Sequence, residues 1–179
     1  MLTQLRRLGI THLRQEDGMN ICSSLQKLSN LRSLILVSIN EDEIIDLQHI
    51  YPLSSAPQFL RNLFLQGRLE KLPQWIPSLY GLARVYLRWS KLSDDPLQSL
   101  EDLPNLLELR LNRAYKGEGL CFKARRFKRV TGLYLIMLEG LRGLRVEEGV
   151  MPHLEHLYLS KCELLEEVPS GIQHLTSLK

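Results

Sequence analysis

The chain has 179 residues, of which 40 are leucine, and 24% of its residues are charged, with a formal net charge of +3. This composition excludes a disordered chain, and the charge is too small to indicate a polyanionic partner. No apolar run approaches the roughly 20 residues that cross a bilayer, so no transmembrane segment is predicted. Cys22, Cys121 and Cys162 are far apart and predict no disulfide framework, which favours a reducing compartment.

In chain order, the leucines form a repeated pattern, L-x-x-L-x-L. The pattern starts at Leu5, Leu31, Leu60, Leu82, Leu106, Val130 and Leu154, and an eighth copy begins at Leu178. The starts lie 22 to 29 residues apart, a spacing typical of leucine-rich repeats. Because strand side chains alternate, each L-x-L predicts a short strand with two inward residues.

The predicted fold is therefore an α/β leucine-rich-repeat solenoid of about seven repeats, which forms a single domain over residues 1–179. A curved parallel sheet is expected on the concave face, with irregular or short helical segments on the convex side. Leu72-Pro73 and Val168-Pro169 support this expectation, since proline blocks a regular helix in these return segments. Cys162 is predicted to be a buried structural thiol.

Other segments interrupt this rhythm. Residues 40–57 make the longest repeat and begin with an acidic run at 41–46, and a basic run lies at 123–129. Both charged runs are interpreted as solvated loop surface. The glycines of residues 115–119 predict a turn, and Gly132 leaves the order of the sixth strand open.

Several motifs resemble those of plant intracellular nucleotide-binding leucine-rich-repeat immune receptors of the coiled-coil class. Leu72-Pro73-Gln74-Trp75-Ile76 is similar to a repeat motif of these receptors, and further matches lie at 103–106, 114–117, 147–152 and 162–175. The resemblance implies that the chain is the C-terminal repeat region of a longer disease-resistance receptor. It is then expected to recognise a pathogen effector or a guarded host protein, and to contact the nucleotide-binding domain of the same polypeptide.

The same resemblance implies a cytoplasmic receptor that triggers a defence response, with peripheral association at the plasma membrane left open. ATP or ADP is expected only in the nucleotide-binding domain of the parent, because this chain contains no G-x-x-x-x-G-K-[ST] phosphate loop. The alternative function is substrate recognition in an F-box ubiquitin-ligase adaptor. An extracellular receptor would need capping cysteine pairs and glycosylation sequons, which this sequence lacks.

The residues predict neither an enzyme nor a metal site. His153 and His156 would point to opposite sides of a strand, so their imidazoles should not converge on a metal. The paired carboxylates at 94–95, 147–148 and 166–167 suit solvation better than general acid–base catalysis.

The predicted concave face carries the candidate binding residues, because aromatic side chains and arginine are enriched there, as at binding hot spots. These residues are Phe64, Arg84, Tyr86, Arg88, Trp89, Arg110, Arg113, Tyr134 and Tyr158. Two interpretations stay open: the side chains contact a protein partner, with the arginines favouring an acidic one, or they pack on each other across strands. Nucleic acid is disfavoured, since no basic stripe runs along the whole array.

Overall fold

The computed structural model describes residues 4–179, and nine strands account for most of their regular structure. The strands are β1 Arg7–Leu13, β2 Ser33–Ser38, β3 Asn62–Gln66, β4 Arg84–Arg88, β5 Glu108–Asn112, β6 Gly119–Phe122, β7 Gly132–Ile136, β8 Gly143–Val146 and β9 His156–Ser160. Seven of them form one parallel sheet in the order β1-β2-β3-β4-β5-β7-β9. This sheet confirms the predicted solenoid, with one strand for each L-x-L motif.

The leucines of the repeated motif form the core behind this sheet. Leu63 and Leu65 of β3 are 1% and 0% exposed, and Leu109 and Leu111 of β5 are both 0% exposed. Neighbouring strands pair residue to residue, so that equivalent apolar side chains stack from one repeat to the next. The opposite, solvent-facing side of the sheet is here called the concave face.

Each repeat begins with the same backbone contact to the repeat before it. The N–H of Ala83 donates to the carbonyl of Arg61 at 2.8 Å, and the N–H of Glu155 donates to Thr131 at 2.9 Å. Lys179 makes the equivalent contact with the carbonyl of Glu155, at 3.0 Å. Lys179 is therefore bonded to the seventh repeat as Glu155 is bonded to the sixth.

The return segments contain short helices, as the sequence predicts. The α-helices are α1 Gly18–Leu25 and α2 Leu97–Leu100, and 3-10 helices lie at Gln15–Asp17, Leu53–Ser55, Ile76–Ser78 and Ile172–His174. None of the helices between residues 4 and 179 has the length and apolar character needed to span a bilayer.

The convex side also contains a second sheet that the sequence analysis missed. Strand β6 pairs in parallel with β8, and a single bridge from Arg145 to Ser170 extends the pairing. The predicted turn at 115–119 was wrong in part, since Tyr115 bridges to Leu92 and Gly119 already belongs to β6. The missed signal is the alternation of Leu120 with Phe122, whose side chains are buried.

Two predictions about single residues are resolved by the packing. Gly132 does not disorder the sixth strand, because β7 pairs in register with both neighbours. Cys162 is only partly buried, so its predicted burial was wrong. It follows β9, the last strand of the sheet, which pairs on one side only within the described residues.

Candidate functional site

One row of residues crosses the concave face, with one residue from each strand of the seven-stranded sheet. The register pairs these residues in the order Gly9, Ile35, Phe64, Tyr86, Arg110, Tyr134, Tyr158. We call this set the central row. Five of the nine predicted site residues belong to it, so the regular period of the repeats brings distant parts of the sequence side by side.

The last five residues of the central row form a continuous stack. The rings of Phe64 and Tyr86 meet edge to face, with centroids 6.3 Å apart. The guanidinium of Arg110 lies between two tyrosines, 5.0 Å from the ring centroid of Tyr86 and 4.1 Å from that of Tyr134. Tyr134 then contacts Tyr158 at 6.3 Å. Such cation–π and aromatic contacts favour a fixed arrangement of these side chains.

Glu108 lies at the centre of this stack, and the sequence analysis did not name it as a site residue. Its carboxylate accepts hydrogen bonds from the Tyr86 hydroxyl at 2.9 Å and from Arg110 Nε at 2.6 Å, and it lies 3.6 Å from Arg84 Nε. The Glu108 side chain is only 18% exposed. Burial, and then the hydrogen bond to Glu108, raise the pKa of Tyr86. The concave face is thus not purely basic, since a carboxylate already pairs with two of its arginines.

Gly132 makes room for the same stack. A Cβ atom at this position would lie 3.0 Å from Cε2 of Tyr134, closer than an ordinary van der Waals contact. Because Gly132 has no side chain, the Tyr134 ring can lie along the sheet, toward Glu108. The departure from the usual repeat pattern has a packing reason.

The remaining predicted residues flank the central row. Arg84 lies at the start of β4 and Arg88 at its end, and both are exposed. Arg88 stacks on Trp89, with its guanidinium carbon 4.8 Å from the ring centroid, and it contacts Gln66 Oε1 at 3.5 Å. No carboxylate of the described residues forms an ion pair with Arg88, in contrast to Arg84 and Arg110.

Trp89 and Arg113 do not lie in the central row. They occupy the corner that follows each strand, where the backbone turns away from the sheet. The corner residues of four successive repeats have left-handed φ angles between 48° and 59°: Trp89, Arg113, Met137 and Lys161. The nine predicted residues thus form two surfaces, the central row with its flanks and the corner.

The acidic run at 41–46 is an exposed loop at Asp42, as the sequence predicts, but it also makes contacts that the sequence analysis missed. Asp42 accepts a hydrogen bond from Lys91 Nζ at 2.7 Å, and Glu41 accepts one from Arg113 Nη1 at 3.3 Å. The hydrogen bond from Lys91 lowers the pKa of Asp42. Glu43 accepts a hydrogen bond from the N–H of Gln15 at 2.8 Å. The run is a structured crossing between repeats.

The basic run at 123–129 is likewise partly paired with the preceding repeat. Glu101, a buried residue, lies 3.9 Å from Lys123 Nζ and 3.7 Å from Arg126 Nε. Arg126 also pairs with Asp102. These contacts stabilise the stacking of return segments, which assigns at least part of the basic run to the scaffold.

His153 and His156 do not belong to a metal-binding cluster. Between residues 4 and 179 no three or more His, Cys, Asp or Glu side chains come together in a way that could hold a metal ion.

Comparison with known proteins agrees with this geometry. A family model described as a leucine-rich repeat region matches residues 1–179. The chain is 35% identical over 178 residues to disease resistance protein RPM1 of Arabidopsis thaliana, and 30% identical over 179 residues to disease resistance RPP8-like protein 3 of the same species. These matches cover 99% of the chain but 19% and 20% of the relatives, so the chain spans about a fifth of their length.

A solved structure shows the same fold. The leucine-rich repeat domain of the type III effector XopL superposes with a TM-score of 0.62 and 22% sequence identity. The superposition covers 97% of this chain and 67% of that domain. At this level of identity the likeness supports the architecture alone.

Proposed function

The chain belongs to the leucine-rich repeat family, and on that premise we propose that it is the recognition and autoregulatory repeat region of a plant immune receptor. In this role it senses a pathogen effector, directly or through a guarded host protein, and leads to a defence response. It also contacts the nucleotide-binding domain of the longer receptor. The observation that carries this proposal is the stacked central row, whose residue types are those enriched at binding hot spots.

The relatives support this choice of function over the alternative. They are named disease resistance proteins, and each is about five times as long as the chain. The ubiquitin-ligase adaptor gains no support from them. We propose a non-catalytic, cytoplasmic role for this region, with ATP or ADP bound only in the nucleotide-binding domain of the longer receptor.

The accessible flank of the concave surface is the proposed contact point. Arg88 is exposed and stacked on Trp89, and no carboxylate between residues 4 and 179 pairs with it. Arg110 is a weaker candidate, because Glu108 already neutralises it. The acidic partner suggested by the sequence is therefore expected to meet Arg88 before it meets Arg110.

The test is a charge reversal at Arg88 in a full-length receptor that contains this region. Arg88→Glu should abolish the effector-dependent cell-death response in leaves, at unchanged protein level on an immunoblot. Arg142→Glu is the matched control, since Arg142 is 58% exposed and its one ion pair among the described residues is with the exposed Glu118, outside the main sheet. Wild-type response from Arg88→Glu would refute the contact, while a response without pathogen would assign the surface to autoinhibition.

A further inference from the structure

The acidic run reaches across the solenoid to contact repeats that are distant in sequence. We call residues 40–46 the acidic strap. Its tip residues Asp42 and Glu41 contact Lys91 and Arg113, at separations of 49 and 72 residues. The third repeat lies between the strap and these partners. The strap is attached to this repeat at Gly67 and Arg68.

The base of the strap is part of the fold. The N–H of Ile45 donates to the carbonyl of Arg68 at 2.9 Å, and the N–H of Arg68 donates to the carbonyl of Glu43 at 3.0 Å. Ile45 and Leu47 are buried in the core, 2% and 0% exposed. The base therefore stays in place whatever happens at the tip.

The tip is held differently. Its turn is formed locally, because Asn40 Oδ1 accepts hydrogen bonds from the N–H groups of Asp42 and Glu43 at 3.0 and 2.9 Å. Its side-chain contacts to the distant repeats are two ion pairs, in which Asp42 is 75% exposed and Glu41 is 43% exposed. Exposed ion pairs contribute little to stability, so these contacts are readily exchanged.

Glu41 of the tip lines a cavity of about 500 Å³ at the corner of the fourth to sixth repeats. We call its three cationic side chains, Lys91, Arg113 and Lys116, the basic corner. Two carboxylates, Glu41 and Glu139, also line the cavity. Without Glu41, the described lining of this cavity would keep three cations and one carboxylate, Glu139, a balance that favours an acidic ligand.

One donor of Arg113 makes no hydrogen bond among the described residues. Its Nη1 atom donates to Glu41, but its buried Nε atom has no hydrogen-bond partner. Glu139 Oε1 lies 3.3 Å from this Nε as an ion pair, outside hydrogen-bond geometry. A guanidinium can bind a carboxylate through two parallel N–H groups, and such bidentate pairs are stronger than single contacts.

We propose that the basic corner is a docking site for an acidic segment of a partner protein, and that the acidic strap occupies this site in cis. The strap shows the chemistry that the site accepts, namely carboxylates on a short exposed turn. A partner would exchange its own Asp or Glu side chains for those of the strap. This proposal deepens the recognition role proposed above, and the existence of a protein partner rests on that role. The binding chemistry of the basic corner can be tested without any immune response.

The test measures binding of a fluorescent ten-residue peptide of alternating Glu and Ser to the purified chain at low ionic strength. Removing the competing carboxylates with Glu41→Gln and Asp42→Asn should tighten binding by about fivefold, the range expected for losing weak surface pairs. The matched control is Glu166→Gln with Glu167→Gln, two exposed carboxylates in the last return segment, which changes the net charge equally. Lys91→Gln with Arg113→Gln should abolish binding in either background.

Two results would overturn the proposal. One is equal tightening by the strap variant and by the Glu166 and Glu167 control, which would reflect net charge alone. The other is peptide binding that survives Lys91→Gln with Arg113→Gln, and this comparison with wild type decides the matter even where the strap variant fails to fold. Either failure leaves the Arg88 test intact, because that test addresses the concave face.

Discussion

Two arginines of one repeat, Arg110 and Arg113, show how differently this fold uses the same residue type. Arg110 lies in the central row and pairs with Glu108, two residues away on β5, with Nε and Oε1 2.6 Å apart. Arg113 lies at the corner and pairs with Glu41, 72 residues away on the acidic strap. The first pair is flanked by two tyrosine rings, whereas the second sits at the mouth of a cavity.

This difference distinguishes an ion pair that belongs to the scaffold from an ion pair on an exchangeable surface. Forming strand β5 already brings Glu108 and Arg110 together, and the rings of the neighbouring strands then confine the guanidinium. The pair of Glu41 and Arg113 forms only where the strap has folded across the third repeat. We conclude that the centre of the concave row is fixed by the sheet, and that the corner is open to competition.

The largest effect is expected where the strap packs on the sheet. Gly67 has a φ of +146°, and a Cβ there would lie 2.6 Å from Ser38 Oγ and 2.8 Å from Ile45 Cδ1. Gly67→Ala should therefore lower the free energy of unfolding by roughly 2 kcal/mol, through backbone strain and displacement of the strap base. Urea denaturation measures the change.

Gly143→Ala is the control for this substitution. A Cβ at Gly143 meets no atom within 4 Å, so stability should change by less than about 0.5 kcal/mol. Equal stability of the Gly67 and Gly143 variants would show that the strap base is not packed as described.

A smaller effect is expected at the centre of the concave row. Glu108→Ala leaves Arg110 and the Tyr86 hydroxyl without their acceptor, which should cost about 1 to 2 kcal/mol in the free energy of unfolding. Glu118→Ala, which removes a 78% exposed carboxylate 3.8 Å from Arg142, should cost almost nothing. Urea denaturation of both variants compares the two losses in the free energy of unfolding. Equal losses would show that Glu108 does not stabilise the stack.

The same variant has a spectroscopic readout. Burial and Glu108 raise the pKa of Tyr86, so its proton is retained in the folded chain above the pH at which an ordinary tyrosine loses it. The stability from this hydroxyl is present below a pH of about 10 and is lost as the pH rises through the higher folded value. Absorbance titration of Glu108→Ala should show this ionisation at lower pH than in wild type, with Tyr86→Phe identifying the signal.

The main sheet could be predicted from the sequence because the motif that forms its strands recurs at a regular spacing. The spacing of the L-x-L motifs gave every strand of the large sheet, and alternation placed Phe64, Tyr86 and Tyr134 on one face. Glu108 was within reach of the same reasoning, since it pairs in register with Arg84 at the start of the neighbouring strand. It was missed because only aromatic side chains and arginine were selected as candidate contact residues.

The contacts of the strap could not be predicted in this way. They join residues 49 and 72 positions apart, across an insertion that breaks the repeat period. A run of acidic residues looks the same in a sequence whether it is solvated or paired with distant cations. The second sheet is an intermediate case, because the alternation in β6 was present but lay beside glycines that predict a turn.

The most direct test of the distinction between the two arginines is a pair of double-mutant cycles, measured by urea denaturation at low salt and at about 0.5 M NaCl. Glu108→Gln with Arg110→Gln should give a coupling energy of about 1 kcal/mol that largely persists in salt. Glu41→Gln with Arg113→Gln should give less than about 0.5 kcal/mol, lost in salt. A corner coupling equal to the central one, and equally resistant to salt, would contradict the account.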